Sequence, residues 1–291
     1  MTVFNNCLTR NYCSLSNQLY EKSTHFLLEL IQNADDNTYD DPNPTLSFSY
    51  EPGSLRIDCN EIGFRAENVE ALCAISKSTK SGKTNDGEYI GEKGIGFKSV
   101  FKAADIVWIS SREYEFQFDR TNFLGMVTPV WATFPESTAP GWTSMYLRLS
   151  KDYEEQTLRD ELIAFDLHLL IFLRRIKEIN ISIGSRSGQT HIKTVRKDEQ
   201  ERDKDRIILL RSDDNTFEYI IRTFAITDLP NEPKRPNWTQ TKILLAFPSI
   251  NRLEKPRVIP QKIYAFLPIR NYGFKVEIHY QLRLYYRLIE S

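Results

Sequence analysis

The sequence lacks a hydrophobic run long enough to cross a membrane. Its longest apolar stretch, residues 162–173, is interrupted by Asp166 and His168 and is shorter than the ~20 residues that a spanning helix needs. We expect a buried helix there instead. No charged, apolar and small-residue signal sequence opens the chain. These absences predict an intracellular protein, cytoplasmic or nuclear, without a membrane partner.

Cysteine and histidine are scarce, with four of each among 291 residues. The cysteines, at positions 7, 13, 59 and 73, lack the spacing of a metal site. Their distribution predicts free thiols rather than a disulfide framework. The histidines are scattered, so a structural role is the default for each.

The net charge is only −1, but basic residues are in the minority in the first part of the chain and acidic residues in the second. Residues 1–180 hold 18 Lys+Arg and 26 Asp+Glu, whereas residues 181–291 hold 20 and 13. A basic second half suits nucleic acid, the acidic first half or nucleotide phosphates as its partner. Because no aromatic–basic nucleic-acid motif accompanies it, the sequence does not favour nucleic acid.

Two familiar phosphate-binding motifs are missing from the glycine-rich segment 91–101. A P-loop requires Gly-Lys-Ser, but Phe97 separates Gly96 from Lys98. A dinucleotide fingerprint requires a third glycine, which the residues after Gly94-Ile-Gly96 do not supply. The segment still lets backbone N–H groups approach a phosphate at the start of a helix. An ordinary tight loop is the alternative.

The most informative segment that is present runs from Glu29 to Asp36. Glu29, Asn33 and Asp36 stand at i, i+4 and i+7, which places them on one stripe of a helix. The core-facing side is covered by apolar residues, namely Phe26, Leu27, Leu30, Ile31 and Ala34. Desolvating a polar stripe is costly, so we expect it to face a ligand such as magnesium with phosphates. A solvated helix face is the alternative.

Further elements follow this helix in order. Leu55, Ile57 and Cys59 alternate with polar residues, which predicts a strand. A turn then precedes a predicted helix over residues 66–75. A loop over residues 76–89, short of apolar side chains, leads to the glycine segment and a second helix-compatible run.

This order of elements resembles that of the GHKL ATPase superfamily, which has the Bergerat fold. The residues within the motifs are similar to those of the sacsin and NO VEIN group of chaperone-like ATPases. The matching segments are Phe26–Asn37, Asn60–Phe64 and Gly91–Phe101. The resemblance implies an α/β fold, a two-layer sandwich with a mixed sheet that binds ATP, over residues 1–180. A partial, strand-rich domain is expected over residues 181–291.

Beyond the first domain the sequence predicts mainly strands. Apolar runs at 217–224, 243–247, 258–267 and 274–278 suit strands. The polar segment 184–206 suits a solvated hairpin or a loop.

The resemblance also implies roles for single residues. Glu29 matches the carboxylate that activates the hydrolytic water, and Asn33 matches the amide that coordinates magnesium. Thr143 is similar to a strand threonine that bonds near the adenine, with an ordinary strand threonine as the alternative.

Glycines supply the other contacts that the resemblance implies. Gly63 matches the glycine against the base, whereas Gly91, Gly94 and Gly96 match the phosphate loop and the hinge of the lid formed by the preceding loop. Lys98 is a candidate to neutralise phosphate charge, and a solvated helix lysine is the alternative.

One position departs from the superfamily pattern Asp-x-Gly-x-Gly, whose Asp accepts from the adenine amino group. Counting back from Gly63, that position holds Cys59, and Glu61 replaces the next glycine. Asp58 lies one residue earlier and points to the opposite face of a straight strand. Either a bulge returns Asp58 to the base or another group replaces it, and we expect reduced discrimination between ATP and GTP.

These features predict a module that binds ATP and Mg²⁺ and acts as a weak, chaperone-like ATPase. The alternative is a nucleotide-binding regulatory or interaction module without hydrolysis, and a DNA-associated ATPase of the superfamily is a less favoured one. The Ser-Arg-Glu that supplies a phosphate-contacting arginine in the chaperone relatives is missing, so slow hydrolysis is expected. The chain is expected to be the front part of a longer protein. A client protein or the missing C-terminal region is then its further partner.

Overall fold

A computed structural model of the protein describes residues 25–73, 96–185, 188, 190–202, 205–213, 215–227, 240–249, 261–265, 267–274 and 277–280. These residues divide into two compact units. The first comprises the described residues within 21–166 and 174–195, and the second those within 167–173 and 196–291. The domain boundary after residue 180 stays a prediction.

The first unit is built on a mixed β-sheet. Its strands are β1 (Thr45–Glu51), β2 (Ser54–Cys59), β3 (Ala104–Ser111), β4 (Tyr114–Asp119), β5 (Val130–Trp131), β6 (Thr143–Leu149) and β7 (Glu178–Ile183). Their spatial order is β7-β1-β2-β6-β3-β4-β5. The pair β1–β7 is parallel, and the other neighbours in this order are antiparallel. The prediction of an α/β fold with a mixed sheet is confirmed.

Alternation along the strands gives this sheet one apolar face. On β2, Leu55, Ile57 and Cys59 are buried, whereas Arg56 and Asp58 are partly exposed. Residues that pair directly across strands share a face, so the buried apolar residues of β1 and β7 continue the face of Leu55 and Ile57. The core lies on this face, and Asp58 lies on the opposite one.

The first unit also contains helices α1 (His25–Asp36), α2 (Ala66–Cys73) and α3 (Glu155–Ile163), and a 3₁₀ helix (Phe97–Lys102). The predicted apolar stripe of α1 is confirmed, because all of its members are buried: Phe26, Leu27, Leu30, Ile31 and Ala34. Helix α1 lies against the 3₁₀ helix. The polar-striped helix and the end of the glycine segment are therefore neighbours.

One predicted helix is wrong. The stretch 162–173 forms the end of α3 and a separate short helix, α4 (Leu169–Phe172). The Ala164 N–H donates to the carbonyls of Asp160 and Leu162 as α3 ends, and α3 and α4 belong to different compact units. Within the described part of the chain, no helix has the length and apolar character needed to cross a membrane.

The second unit is strand-rich. Beyond α4 it contains most of β8 (His191–Arg202) and the strands β9 (Asp205–Ser212), β10 (Asn215–Thr227), β11 (Gln240–Ser249), β12 (Gln261–Ala265), β13 (Leu267–Phe274) and β14 (Glu277–Tyr280). The pairs β9–β10, β10–β11, β11–β14 and β12–β13 are antiparallel, and β12–β14 is parallel.

Two predicted strands of this unit, at 217–224 and 243–247, are confirmed by β10 and β11. The single strand predicted over 258–267 is wrong, because the antiparallel strands β12 and β13 meet within it, where Ala265 pairs with Leu267. The polar segment 184–206 contains β8 and the start of β9, which are neighbours in the sheet. Its described part therefore favours the hairpin over the loop.

Candidate functional site

The polar stripe of α1 meets the glycine segment at Gly96. A β-carbon built on Gly96 would lie 2.5 Å from Glu29 Oε2 and 3.8 Å from Asn33 Nδ2. Gly96 has right-handed helical dihedrals, with φ −56° and ψ −48°, so what favours glycine at this position is the close approach of Glu29 rather than the backbone conformation. The structure thus brings together three residues that the sequence pattern selected separately.

Burial shifts the pKa of Glu29 and that of its neighbour His25 in opposite directions. The Glu29 side chain keeps 28% of its surface exposed, and burial raises the pKa of its carboxyl above the ordinary 4.5. His25 Nδ1 lies 3.8 Å from Glu29 Oε1, and burial, together with the charge of Lys102, lowers the pKa of His25. A carboxylate with a raised pKa is a stronger proton acceptor, which suits a general base.

The third member of the predicted stripe has a structural partner instead. Asp36 is buried and ion-paired with the Arg174 guanidinium. Its neighbour Asp35, also buried, accepts hydrogen bonds from the N–H groups of Arg174, Arg175 and Ile176 at 2.9, 2.7 and 3.1 Å. The expectation that Asp36 faces a ligand is therefore wrong, because the end of α1 anchors the segment that leads into β7.

Lys98 binds backbone carbonyls in this structure. Its Nζ donates to Leu72 O at 2.6 Å, near the end of α2, and to Met126 O. It also lies 4.9 Å from the centre of the Phe118 ring, and burial lowers the pKa of its ammonium. The alternative of a solvated helix lysine is wrong. A phosphate contact by Lys98 stays a prediction and requires these bonds to break.

At the end of β2, Asp58 and Cys59 lie on opposite faces of the sheet. Asp58 accepts hydrogen bonds from Arg56 Nε at 2.8 Å and from Ser144 Oγ at 2.6 Å. Strand β2 pairs with β1 and β6 as far as Cys59 without a register shift. The bulge that would return Asp58 to the Cys59 face is therefore absent, and a base bound on that face needs a different contact.

The Cys59 face carries polar side chains at the same end of β2. The Tyr39 hydroxyl lies 2.7 Å from Ala34 O, to which it donates, and 3.0 Å from Cys59 Sγ. Burial raises the pKa of the Cys59 thiol to about 12, so the thiol keeps its proton. Because Tyr39 donates to Ala34, the Cys59 S–H donates to the Tyr39 oxygen.

A buried serine joins Thr143 to the turn that follows β2. Ser111 Oγ lies 2.6 Å from Thr143 Oγ1 and accepts a hydrogen bond from the Phe64 N–H at 2.8 Å. Gly63 has φ +83°, and a β-carbon there would lie 2.6 Å from Arg112 Cγ. Glycine is thus required at position 63 by backbone conformation and by close approach. The contact of Gly63 with a base stays a prediction, as does that of Thr143.

Sequence reasoning missed Tyr39 and Ser111. Neither lies in a matching motif. Tyr39 stands in the connection between α1 and β1, and Ser111 stands at the end of β3, so tertiary packing rather than local spacing brings them to Cys59 and Thr143. Gly91, Gly94 and the loop over 76–89 lie outside the described residues, so the contacts expected of them stay predictions.

The residues present fit a metal ion that is held together with a nucleotide. Among the described residues, no group of three or more His, Cys, Asp or Glu side chains could enclose a metal. Magnesium commonly takes one or two protein oxygens and completes its shell with water and phosphate oxygens. The side-chain amide of Asn33, whose Nδ2 lies nearest to Gly96, carries one such oxygen.

No protein-family model matches the chain. The protein NO VEIN of Arabidopsis thaliana is 32% identical over 286 residues, which cover 90% of this chain and 10% of NO VEIN. The chaperone protein HtpG of Mesorhizobium japonicum is 34% identical over 119 residues, which cover 32% of this chain and 19% of HtpG. The crystal structure of the N-terminal domain of a DNA repair protein is 16% identical with a TM-score of 0.49, covering 93% of this chain and 86% of that one.

The two sequence similarities agree with the resemblance found in the motifs. The chain spans about a tenth of the length of NO VEIN and about a fifth of the length of HtpG. The similarity to NO VEIN extends over most of this chain, whereas the similarity to HtpG is limited to about a third of it. The chain is therefore similar to one part of NO VEIN over most of its own length, and it contains a shorter segment that is similar to the HtpG chaperones.

Proposed function

We propose that the first unit binds magnesium–ATP in a two-layer α/β fold of the GHKL type and hydrolyses it slowly as a chaperone-like module. The observation that carries the proposal is the meeting of Glu29, Asn33 and Gly96. The helix carries a carboxylate and an amide one turn apart. A triphosphate fits between this helix and the segment that faces it only if the facing residue has no side chain.

Each residue has a chemical task in this proposal. Asn33 holds the magnesium ion, which when bound neutralises phosphate charge. Glu29, with its raised pKa, accepts the proton of the attacking water. Gly96 keeps the space in front of both side chains open to phosphate, and Thr143 lies at the base end, on the Cys59 face.

The second candidate is a nucleotide-binding regulatory module that does not hydrolyse ATP. The hydrogen bonds of Lys98 favour this second candidate, because its ammonium donates to two backbone carbonyls and not to a phosphate. Without a fixed positive group the terminal phosphate loses several kcal/mol of transition-state stabilisation. The name of HtpG as a chaperone protein supports a chaperone-like role, with a client protein or a further region of a longer chain as partner.

A titration with fluorescent ATP, with and without magnesium, tests the binding step. We expect saturable binding that magnesium strengthens, a weaker magnesium effect in Asn33→Ala, and loss of binding in Gly96→Val. Asp58→Asn is the matched control, because Asp58 lies on the opposite face, and it should bind magnesium–ATP as the wild type does. Absence of saturable binding at millimolar ATP would refute the proposal. Steady-state phosphate release distinguishes a slow ATPase from a nucleotide-binding module that does not hydrolyse ATP.

A further inference from the structure

A segment without charged residues follows β4 and exposes large apolar side chains. Residues 121–135 contain no Lys, Arg, Asp or Glu. Within 121–131, which we call the apolar segment, the exposed fraction of the large apolar side chains ranges from 46% to 95%: Phe123, Leu124, Met126, Val130 and Trp131. Single exposed apolar residues need no explanation, whereas a group of them is typical of a functional surface.

Backbone hydrogen bonds give the apolar segment a defined shape. The Gly125 N–H donates to Asn122 O at 3.0 Å, and the N–H groups of Val127 and Thr128 both donate to Leu124 O at 2.9 Å. A hydrogen-bonded amide exchanges with solvent only when its bond opens. The opening of this segment can therefore be followed at three amides.

Lys98 joins the apolar segment to two other elements. Its Nζ donates to Met126 O, within the segment, and to Leu72 O at 2.6 Å, near the end of α2. Lys98 itself belongs to the 3₁₀ helix, and its ammonium lies 4.9 Å from the centre of the Phe118 ring. One side chain thus fastens the 3₁₀ helix, α2 and the apolar segment together.

The 3₁₀ helix is the member of this group that meets the proposed nucleotide site. Gly96 directly precedes it and lies against Glu29 and Asn33. The N–H and the hydroxyl of Ser99 both donate to Gly96 O, at 3.1 and 2.5 Å. A ligand that fixes Gly96 therefore also fixes the first turn of the 3₁₀ helix, which carries Lys98.

We propose that nucleotide bound at Gly96 stabilises the apolar segment through the hydrogen bond from Lys98 to Met126 O. The inference rests on the proposed nucleotide site and adds a surface that responds to it. Once the nucleotide orders the 3₁₀ helix, the ammonium of Lys98 is held in place, and the turn that contains Met126 opens less often. By linkage, a partner that orders the apolar segment raises the affinity for nucleotide by the same factor.

The test is amide hydrogen exchange at Gly125, Val127 and Thr128, with and without saturating magnesium–ATP. In the wild type we expect ATP to slow exchange by about fivefold or more, as ordinary coupling between two sites allows. Lys98→Met keeps the length of the side chain but cannot donate, so ATP should leave the exchange of its three amides unchanged. Lys102→Met, the matched control with an exposed side chain on the same 3₁₀ helix, should respond as the wild type does.

A second comparison needs no nucleotide. Without ATP, the three amides should exchange faster in Lys98→Met than in the wild type, because Met126 O has lost its donor. Lys98→Arg, which keeps a cationic donor, should restore part of the protection. Amides of β1 and β2 should exchange alike in every chain, which shows that the variants are folded. Equal exchange of the three amides in Lys98→Met and the wild type would overturn the inference.

The response to nucleotide has three further outcomes. If wild-type exchange ignores saturating ATP, or if the response survives in Lys98→Met, the inference is overturned and the nucleotide site stays in place. Faster exchange with ATP would also overturn it, because the ammonium would then be leaving Met126 O for phosphate. Absence of saturable ATP binding would refute the proposed function, and the inference with it.

Discussion

The two ends of α1 carry carboxylates in opposite situations. Toward its start, Glu29 is partly buried, burial disfavours its charge, and its Oε2 faces the hydrogen of a glycine. At its end, Asp35 is 2% exposed and accepts three backbone N–H groups, and Asp36 is ion-paired with Arg174. At the end of α1 the carboxylates of Asp35 and Asp36 have hydrogen-bond and ion-pair partners, whereas toward its start the charge of Glu29 is disfavoured by burial.

A cost of this kind is typical of a functional site, because ionisable groups with shifted pKa values cluster where ligands bind. The comparison has a direct consequence for mutagenesis. Changes at the start of α1 should affect nucleotide chemistry and leave stability almost unchanged, and changes at its end should do the reverse.

The largest effect is expected from Glu29→Gln. The amide cannot accept the proton of water, so the residual rate of phosphate release should fall by roughly 10²-fold. Affinity for magnesium–ATP should stay close to that of the wild type, because the amide keeps the shape of the carboxyl. Turnover that is unchanged in Glu29→Gln would remove this residue from the mechanism.

Asp35→Ala should produce the largest loss of stability. Three backbone N–H groups lose their acceptor in a buried place, which costs about 3 kcal/mol in total at roughly 1 kcal/mol for each. Asp35→Asn keeps one acceptor oxygen and should lose less. Urea unfolding followed by circular dichroism measures both. If Asp35→Ala were as stable as the wild type but bound ATP more weakly, the division between the two ends of α1 would be wrong.

Gly96→Ala should have an intermediate effect. Its methyl group would lie within 2.5 Å of Glu29 Oε2, and the flexible Glu29 side chain can rotate away, so stability should change by less than about 0.5 kcal/mol. The displaced carboxylate should lower phosphate release by about tenfold. The control is the double-mutant cycle with Glu29→Gln. If Gly96→Ala lowered phosphate release by the same factor in the Glu29→Gln chain as in the wild type, Gly96 would not act through Glu29.

The smallest effect is expected from His25→Gln, read as the dependence of stability on pH. Burial lowers the pKa of His25 in the folded state, so the unfolded state takes up the proton first as the pH falls through the ordinary value of 6.5. The wild type should therefore lose stability below that pH, and His25→Gln should lose less. Urea unfolding at a series of pH values compares the two chains, and parallel curves would contradict the expectation.

Much of the first unit could be predicted because its signals are local. The spacing of polar and apolar residues in α1 and the alternation in β2 each lie within a dozen residues, and both elements form where predicted. The meeting of Gly96 with α1 followed from the family resemblance, which supplied a long-range arrangement that spacing alone does not contain.

By itself, then, the sequence determined the apolar stripe of α1 and the face on which Cys59 lies, since side-chain periodicity decides both. Tertiary structure alone decided that Asp36 is an anchor, that Lys98 binds two carbonyls, and that Tyr39 and Ser111 lie against Cys59 and Thr143. The physical reason is distance along the chain. Asp35 and Arg174, for example, are 139 residues apart, and the partners that satisfy a buried charge are chosen by packing and not by any local pattern.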